Sequence, residues 1–406
     1  MLLCAEVCFW LLAAGVLYTY AGYPLLLAVA ARLRPRPVRR GPGHPRSVSV
    51  VVAARNEEAA IDRRLYELSA QLQAAGAEGE IIVVSDGSTD GTAAVARAHT
   101  KGPVRVLELP RWEGKAAALS AGCAAAAGEV LVFADARQTW EPDALRRLLE
   151  NFADPEVGAV SGNLMVTAAP GVMAGVSLYW RFEKWLRRKE SEAGSMVGAT
   201  GAICAVRREL FRPVPAGTVL DDVYWPLCVA MQGRRVVLDS RAVAYDCLPV
   251  RARDELRRKV RTLSGNLQLL ARLPGAALPW RNPLWFRFVS HKLLRMAVPW
   301  ALLALLVLSA LLPAPLYRAL FWVQAEGYLL AVLGACTGIG ARLRFAAAAG
   351  SFLVLNVAAW LAFWVWASGR SGSSWARVVY APPAAANGVA AIAPADCPGD
   401  EMVGAA

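Results

Sequence analysis

The 406-residue chain is 56% hydrophobic and carries 44 basic against 32 acidic residues, a formal net charge of +12. Soluble domains hold about 45–50% apolar residues, so this composition points to a membrane protein and excludes an intrinsically disordered one. Its 8 cysteines show no CxxC or Cys/His ligand spacing, which argues against a disulfide framework or structural zinc and for buried thiols of a reducing compartment.

Residues 2–31 are nearly uncharged, with Glu6 the one acid. They are long enough to cross a hydrocarbon core, which takes about 20 residues. The stretch lacks the basic start and short apolar core of a signal peptide, so 1–31 is expected to be a retained transmembrane helix. The basic linker 32–46 follows, with Arg32, Arg34, Arg36, Arg39, Arg40 and Arg46 and no acid. By the positive-inside rule it places the next segment in the cytoplasm.

Between 47 and 250 short β-branched runs alternate with helical stretches. Strands are predicted at 48–54, 80–86, 104–109, 129–135 and 234–240, and helices at 56–72, 92–99, 115–127 and 143–152. Continuous apolar strands separated by helices predict an α/β, Rossmann-like domain with a mostly parallel sheet buried on both faces. Ligands of such sheets bind beyond the carboxyl ends of the strands. The candidate site is therefore Arg55-Asn56-Glu57, Asp86-Gly87-Ser88 and Asp135-Ala136-Arg137. Each cluster alone also reads as a turn or a helix cap, but three at one sheet edge argue for a site. No GxGxxG follows the first strand, and Gly114-Lys115 lacks the rest of a P-loop, which argues against a dinucleotide oxidoreductase and an NTPase.

The segment 251–283 is expected to be basic and amphipathic, lying at the interface. Arg251, Arg253, Arg257, Arg258, Lys259, Arg261 and Arg272 face only Asp254 and Glu255 there. Region 284–368 is expected to hold about three spans, near 290–312, 318–336 and 345–367, with Arg342 and Arg344 on the cytoplasmic side. Four crossings would put both termini outside. Gln324 and Glu326 interrupt 318–336, which reads either as a functional intramembrane pair or as a re-entrant or interfacial helix. The tail 369–406 has no periodicity and is expected to be poorly ordered. The basic excess is concentrated in two segments flanking the membrane regions, which fits anionic membrane lipids; no nucleic-acid motif accompanies it.

Seven segments appear in a telling order: VVAARNEE (51–58), VVSDGSTDGT (83–92), GKAAALSAG (114–122), FADAR (133–137), GATGAICAVRRELF (198–211), LDDV (220–223) and RKVRT (258–262). Together they resemble the motifs of membrane-embedded family 2 glycosyltransferases, a group that includes cellulose, chitin and hyaluronan synthases and bacterial N-acetylglucosamine polymerases. The resemblance covers about residues 46–270. It departs from the family pattern at four positions. Ser85 replaces the first Asp of DDGS, Arg137 the second carboxylate of DxD, and Arg258 and Thr262 the Gln and Trp of QxxRW. The last change leaves processive extension and single transfer both open.

The resemblance implies a GT-A domain over 47–250, flanked by transmembrane helices in a multi-pass protein of the inner (plasma) membrane with its catalytic domain cytoplasmic. It implies inverting transfer from a nucleotide-sugar, expected to be a UDP-sugar, to a glycan acceptor. Transfer of one sugar to a lipid acceptor is the alternative, and a catalytically dead scaffold or a transport-linked nucleotide sensor stand outside the class. In the family's terms Asn56 and Glu57 frame the nucleotide, Asp86 contacts uracil or ribose, and Lys115 adds positive charge beside the donor. Asp135 would hold a weakly bound Mg²⁺ or Mn²⁺ on the diphosphate. Arg137 either turns away from that metal or itself contacts the diphosphate, and restoring a carboxylate at 137 is expected to ease the metal requirement.

Asp222 would be the general base, with Asp221 beside it raising one pKa of the pair; the same pair also reads as favourable charge at a helix N-terminus. Gly198, Thr200 and Gly201 belong to the acceptor-side segment. Arg258 and Arg261 share a helix face and either clamp the diphosphate or form a lipid-facing basic stripe. Tyr179, Trp180, Phe182 and Trp185 offer a sugar platform or the apolar face of an amphipathic helix.

Overall fold

A computed structural model describes residues 2–42, 45, 47–167, 174–247, 252–337 and 343–371. Arg46, Arg251, Arg342 and the tail from 372 lie outside the described residues. The chain forms two compact units: Val38–Pro170 with Gly198–Glu255, and Met1–Pro37 with Gly171–Val197 and Leu256–Ser374.

The first unit is built on one eight-stranded sheet. Its strands are β1 (Ser47–Ala54), β2 (Glu78–Asp86), β3 (Val104–Leu109), β4 (Val130–Ala134), β5 (Thr139–Trp140), β6 (Val157–Thr167), β7 (Ile203–Arg207) and β8 (Arg235–Cys247), in the order β3-β2-β1-β4-β7-β6-β8-β5. Helices α1 (Glu58–Ala75), α2 (Thr92–Ala98), α3 (Lys115–Ala125), α4 (Ala144–Glu150) and α5 (Asp221–Met231) accompany it. The β3-β2-β1-β4 half is parallel throughout. β1 and β2 are Val- and Ile-rich because both faces are covered: Val50, Val51, Val52, Ile81, Ile82, Val83 and Val84 are all fully buried. Ile61, Leu65, Leu68 and Leu72 of α1 recur at helical spacing and are buried in the same core. Gly76, at a φ of 59°, stops that helix in the left-handed conformation, its N–H returning to Gln73 and Leu72.

Strand order reverses between β1 and β4, so a crevice opens at their carboxyl ends, where Asn56-Glu57 and Asp135 emerge. The far half of the sheet is mixed. β7 runs antiparallel to β4 and β6, β6 is parallel to β8, and β5 is antiparallel to β8. β5, β6 and β7 are not among the strands the sequence pattern predicts. Glycines read as turn signals cut β6, yet Gly162 is there for close approach: a Cβ on it would meet Ala242 O at 2.8 Å. The register of β6 on β8 also shifts between Ser161 and Asn163, which breaks the alternation a pattern search needs.

The second unit is helical among its described residues. Leu2–Leu33, Trp285–Leu311, Pro315–Cys336 and Phe345–Ala367 are each long and apolar enough to cross a membrane. The second of these starts earlier than the predicted 290–312 because Trp285–Phe288 runs into it through a π-turn, Val289–Leu293. Pro315–Cys336 is one continuous helix, in which Gln324 Nε2 donates to Leu302 O at 2.9 Å and to Tyr328 Oη at 2.6 Å. Two polar helices, Ala174–Glu192 and Ala252–Arg272, complete the description, the latter straddling the division between the units at Leu256.

A buried charged cluster holds this unit together. His291, 1% exposed, places Nδ1 2.8 Å from Glu190 Oε1 and Nε2 2.8 Å from Glu183 Oε1. The imidazole thus bridges two glutamates, one at each ring nitrogen. Tyr23 Oη donates to Glu190 Oε1 and Arg295 to Glu183 Oε2, each at 2.8 Å. Burial alone would raise both carboxyls. His291, with Arg295 and Lys292 around Glu183, overrides it and holds both below the usual carboxylate range.

Candidate active site

Three loops and one helix terminus converge on Lys115. The turn after β2 carries Asp86, 4% exposed, whose two carboxylate oxygens accept from the backbone N–H groups of Glu113 (2.7 Å) and Gly114 (2.9 Å). The carboxylate thus holds the 113–114 turn, and each of its oxygens keeps a lone pair for a further donor. Gly114 takes a φ of 92°, which suits glycine, and Lys115 begins α3 immediately after it. Asp86 therefore sets where Lys115 points.

Lys115 Nζ lies 2.5 Å from Asp135 Oδ1 at the end of β4. The second oxygen of Asp135 has no hydrogen-bond partner among the described residues. Burial favours the neutral carboxyl of Asp135, but Lys115, Arg137 and Arg64 outweigh it and hold the group below its ordinary pKa. For Lys115, burial works against the charge, and Asp135, Asp221 and Asp222 more than restore it, raising the ammonium above its ordinary value. One cation is thus balanced by three carboxylates.

Asp221 and Asp222 open α5, as the helix-terminus reading of LDDV requires. Asp221 is 8% exposed and is pushed up to about 6: burial raises it, Lys115 lowers it, and Asp222 and Asp135 raise it again. The 198–203 segment is tied to the same terminus by Ala199 N–H donating to Asp222 O at 2.7 Å, and to β6 by Thr200 N–H donating to Ser161 Oγ at 3.0 Å. A Cβ built on Gly198 would lie 3.1 Å from Asp222 O, so this glycine allows the close approach. A Cβ on Gly201 would sit 3.4 Å from Lys115 Nζ and 3.7 Å from Asp222 Cβ. Gly201 therefore lies beside both the Lys115 ammonium and the Asp222 side chain.

Asn56 frames the crevice from the β1 side in a left-handed conformation, φ 54°. Its Oδ1 accepts from Thr89 N–H at 2.9 Å, and Glu57 N–H donates to Thr92 Oγ1 at 2.8 Å, stitching the 55–58 turn to the 88–92 turn. Arg137 points to neither Asp135 nor open solvent alone: its Nε and NH2 reach the two oxygens of Asp246 at 3.1 Å. Arg258 and Arg261 lie on Ala252–Arg272, where the Arg258 guanidinium stands 5.6 Å from the Trp180 ring and Lys259 Nζ 4.3 Å from the Tyr179 ring. Phe182 and Trp185 stack at 6.3 Å on the same helix as Tyr179 and Trp180. No group of three or more His, Cys, Asp or Glu residues able to hold a metal occurs among the described residues.

Two features escape the sequence reading. Arg63 and Arg64 of α1 hold the 135–137 turn through its carbonyls, and Asp246 answers Arg137 from β8. A charged residue at 64 in the buried stripe of α1 is a signal that could have exposed the first. Nothing local marks the second.

Residues 49–214 match the family described as glycosyl transferase family 2. The chain carries a family 2 glycosyltransferase domain. Poly-beta-1,6-N-acetyl-D-glucosamine synthase of Staphylococcus epidermidis is 24% identical over 232 residues, 55% of this chain and 56% of that one. An uncharacterized glycosyltransferase of Nostoc sp. is 31% identical over 119 residues, 29% of this chain and 36% of its own. The chain spans about half the length of the first of these curated relatives, 56%, and 36% of the second. Among solved structures, a mannosyltransferase from Pyrobaculum calidifontis in complex with GDP-Man and Mn²⁺ superposes with a TM-score of 0.66 at 24% identity, covering 89% of this chain and 99% of that one. The fold of this domain is thus GT-A, with a mostly parallel sheet.

Proposed function

We propose that this glycosyltransferase moves a sugar from a nucleotide-sugar to a glycan acceptor with inversion, at a membrane surface. The observation that carries the reading is Lys115 Nζ at 2.5 Å from Asp135 Oδ1, at the crevice where the strand order reverses, with Asp221 and Asp222 close enough to share its charge. An inverting transfer needs an electropositive group for the leaving diphosphate and a carboxylate for the acceptor proton. Lys115 supplies the first and Asp222 the second, with Gly201 beside both. Asn56 and Glu57 line the nucleotide end, and Thr200 and Gly201 the acceptor end. Arg258 and Arg261 remain candidates for the diphosphate or for anionic headgroups.

Asp135 offers one carboxylate with an oxygen to spare, which suits a divalent cation only when the donor's diphosphate completes the ligand set. Mg²⁺ or Mn²⁺ would be held weakly by Asp135 and would stabilise negative charge on the leaving group. The mannosyltransferase solved with GDP-Man and Mn²⁺ supports metal use and keeps a GDP-sugar in play beside the UDP-sugar expected from the sequence. The synthase relative supports a glycan acceptor. Thr262 in the QxxRW position favours a second reading, transfer of one sugar to a lipid.

We also infer a multi-pass protein of the plasma membrane with residues 47–250 as catalytic domain on the cytoplasmic side, reached through the basic linker 32–46 and followed by an interfacial segment 251–283 and a transmembrane region 284–368. Four apolar helices and the arginines after the first support it. The test is release of UDP or GDP from a panel of nucleotide-sugars by purified protein with native lipid extract, followed by the anomeric configuration of the product. Absence of nucleoside diphosphate release from every donor would refute the reading, and a retained anomer would refute inversion.

A further inference from the structure

Arg64 is fully buried in α1, on the stripe that otherwise holds Ile61, Leu65, Leu68 and Leu72. A buried arginine is costly unless its charge and donors are met. Arg64 NH1 donates to Glu67 Oε1 at 2.6 Å, the guanidinium lies 4.7 Å from the Trp140 ring centroid, and Nε donates to Asp135 O at 3.0 Å. Glu67 Oε1 also accepts from Trp140 N–H at 2.6 Å. On its far side Trp140, 4% exposed, donates Nε1–H to Ala202 O at 3.1 Å. These contacts form an unbroken path from the turn bearing Asp135 to the loop bearing Thr200 and Gly201.

We propose that Arg64, Glu67 and Trp140 form a buried strut that fixes the spacing between the donor-side carboxylate and the acceptor-side loop, Arg64 and Trp140 being positioning residues for the transfer. The proposal rests on the reading of the two loops given above. Its chemistry is specific to the side chains used. A planar guanidinium bonds the Asp135 carbonyl, lies on the indole face and meets Glu67 together, which an ammonium cannot do. An indole reaches the Ala202 carbonyl while its face supports the arginine, which a phenyl ring cannot do.

Two conservative variants of the full chain in detergent separate the ends of the strut. Arg64→Lys keeps the charge beside Glu67 and removes the planar contact with Asp135 O. It is expected to weaken calorimetric binding of UDP and GDP by about tenfold, a shift in keeping with a displacement well under 1 Å. Trp140→Phe keeps a ring under Arg64 and removes the Ala202 bond. Nucleoside diphosphate affinity should then stay at the wild-type value while turnover falls by about tenfold or more. A general loss of structure would instead move both quantities in both variants together with the melting temperature. Wild-type UDP and GDP affinity in a folded Arg64→Lys, or wild-type turnover in Trp140→Phe, would overturn the strut. If Arg64→Lys does not fold, Trp140→Phe decides alone. A wild-type protein that binds neither UDP nor GDP overturns the donor-site reading itself, which is a separate result.

Discussion

Arg137 and Asp246 meet as a two-pronged ion pair, Nε to Oδ1 and NH2 to Oδ2, both at 3.1 Å. Gln138 Nε2 donates to the same Oδ2 at 3.1 Å. This pairing revises the expectation that Arg137→Asp would restore a metal-binding carboxylate and ease the metal requirement. The new carboxylate would face Asp246, and two like charges with one proton donor left between them repel. Arg137→Asp is expected to cost about 1–2 kcal/mol of stability and to lower activity at every Mn²⁺ concentration. Adding Asp246→Asn should recover much of the loss. A single Arg137→Asp variant that needs less metal than wild type would show that position 137 still serves the diphosphate.

Asp222→Asn keeps the shape of the side chain at the start of α5 and removes its capacity to take a proton. Turnover should fall about 10²–10⁴-fold with donor KM nearly unchanged, because a positioned base acts in the transition state. Asp221→Asn should cost far less. Steady-state release of nucleoside diphosphate checks both. The opposite ranking would move the base one residue back.

The parallel half of the sheet was legible because burial on both faces writes continuous Val and Ile runs such as 48–54 and 80–86. β6 was not, since Gly158, Gly162 and Asn163 interrupt its run while the fold uses the glycines for close packing. The site shows the same division. Asp135 was named for its place at a strand end, whereas Lys115 and the Asp221-Asp222 pair were named through the family resemblance of GKAAALSAG and LDDV. Asp86 was named for its place at a strand end, yet what its carboxylate bonds is decided by a turn 27 residues on. Asp246 and Trp140 matter through partners 109 and 62 residues distant, and no periodicity encodes such a pairing.

The two carboxylates at the start of α5 also set a pH dependence. Asp221 is pushed up to about 6, chiefly by burial, with Asp222 and Asp135 adding to it against Lys115. The folded protein therefore binds more protons at this site than the unfolded chain between about pH 4 and 6, so this group's contribution to stability declines as pH rises through that window. In turnover the pair titrates as a unit, and an acid limb near pH 6 is expected. Asp221→Asn removes one negative charge beside Asp222 and should move that limb downward. A pH–rate profile with the same acid limb in wild type and Asp221→Asn would break the link.

Glu190→Gln tests the charged cluster in the helical unit. Glu190, 1% exposed, accepts from Tyr23 Oη and from His291 Nδ1–H at 2.8 Å each. Gln keeps an acceptor for Tyr23 but removes one of the two carboxylates that His291 bridges. Removing one partner of a buried ion pair costs about 3–5 kcal/mol. Both glutamates are held below their ordinary range, so their contribution is present above about pH 4.3 and is lost as pH falls below it. Thermal unfolding in detergent should show a clearly lower midpoint for Glu190→Gln at pH 7 and a smaller difference at pH 4. Equal midpoints at pH 7 would mean the cluster contributes nothing.

Gly201 separates the space for the reaction from the fold that surrounds it. A Cβ there would meet Lys115 Nζ at 3.4 Å and Asp222 Cβ at 3.7 Å, ordinary contact distances. Gly201→Ala should therefore fold normally and keep a substantial part of its activity. Valine adds two methyl groups beyond a Cβ that already touches both Lys115 and Asp222. On the proposed reading an acceptor hydroxyl approaches Asp222 here while the donor diphosphate lies against Lys115. Displacing either reactant by about 1 Å costs on the order of 10²-fold in rate. The expected series is a melting temperature nearly constant from glycine to valine, with turnover modestly lower in Gly201→Ala and about 10²-fold lower in Gly201→Val. Activity in Gly201→Val close to that of Gly201→Ala would place the acceptor on another path to Asp222.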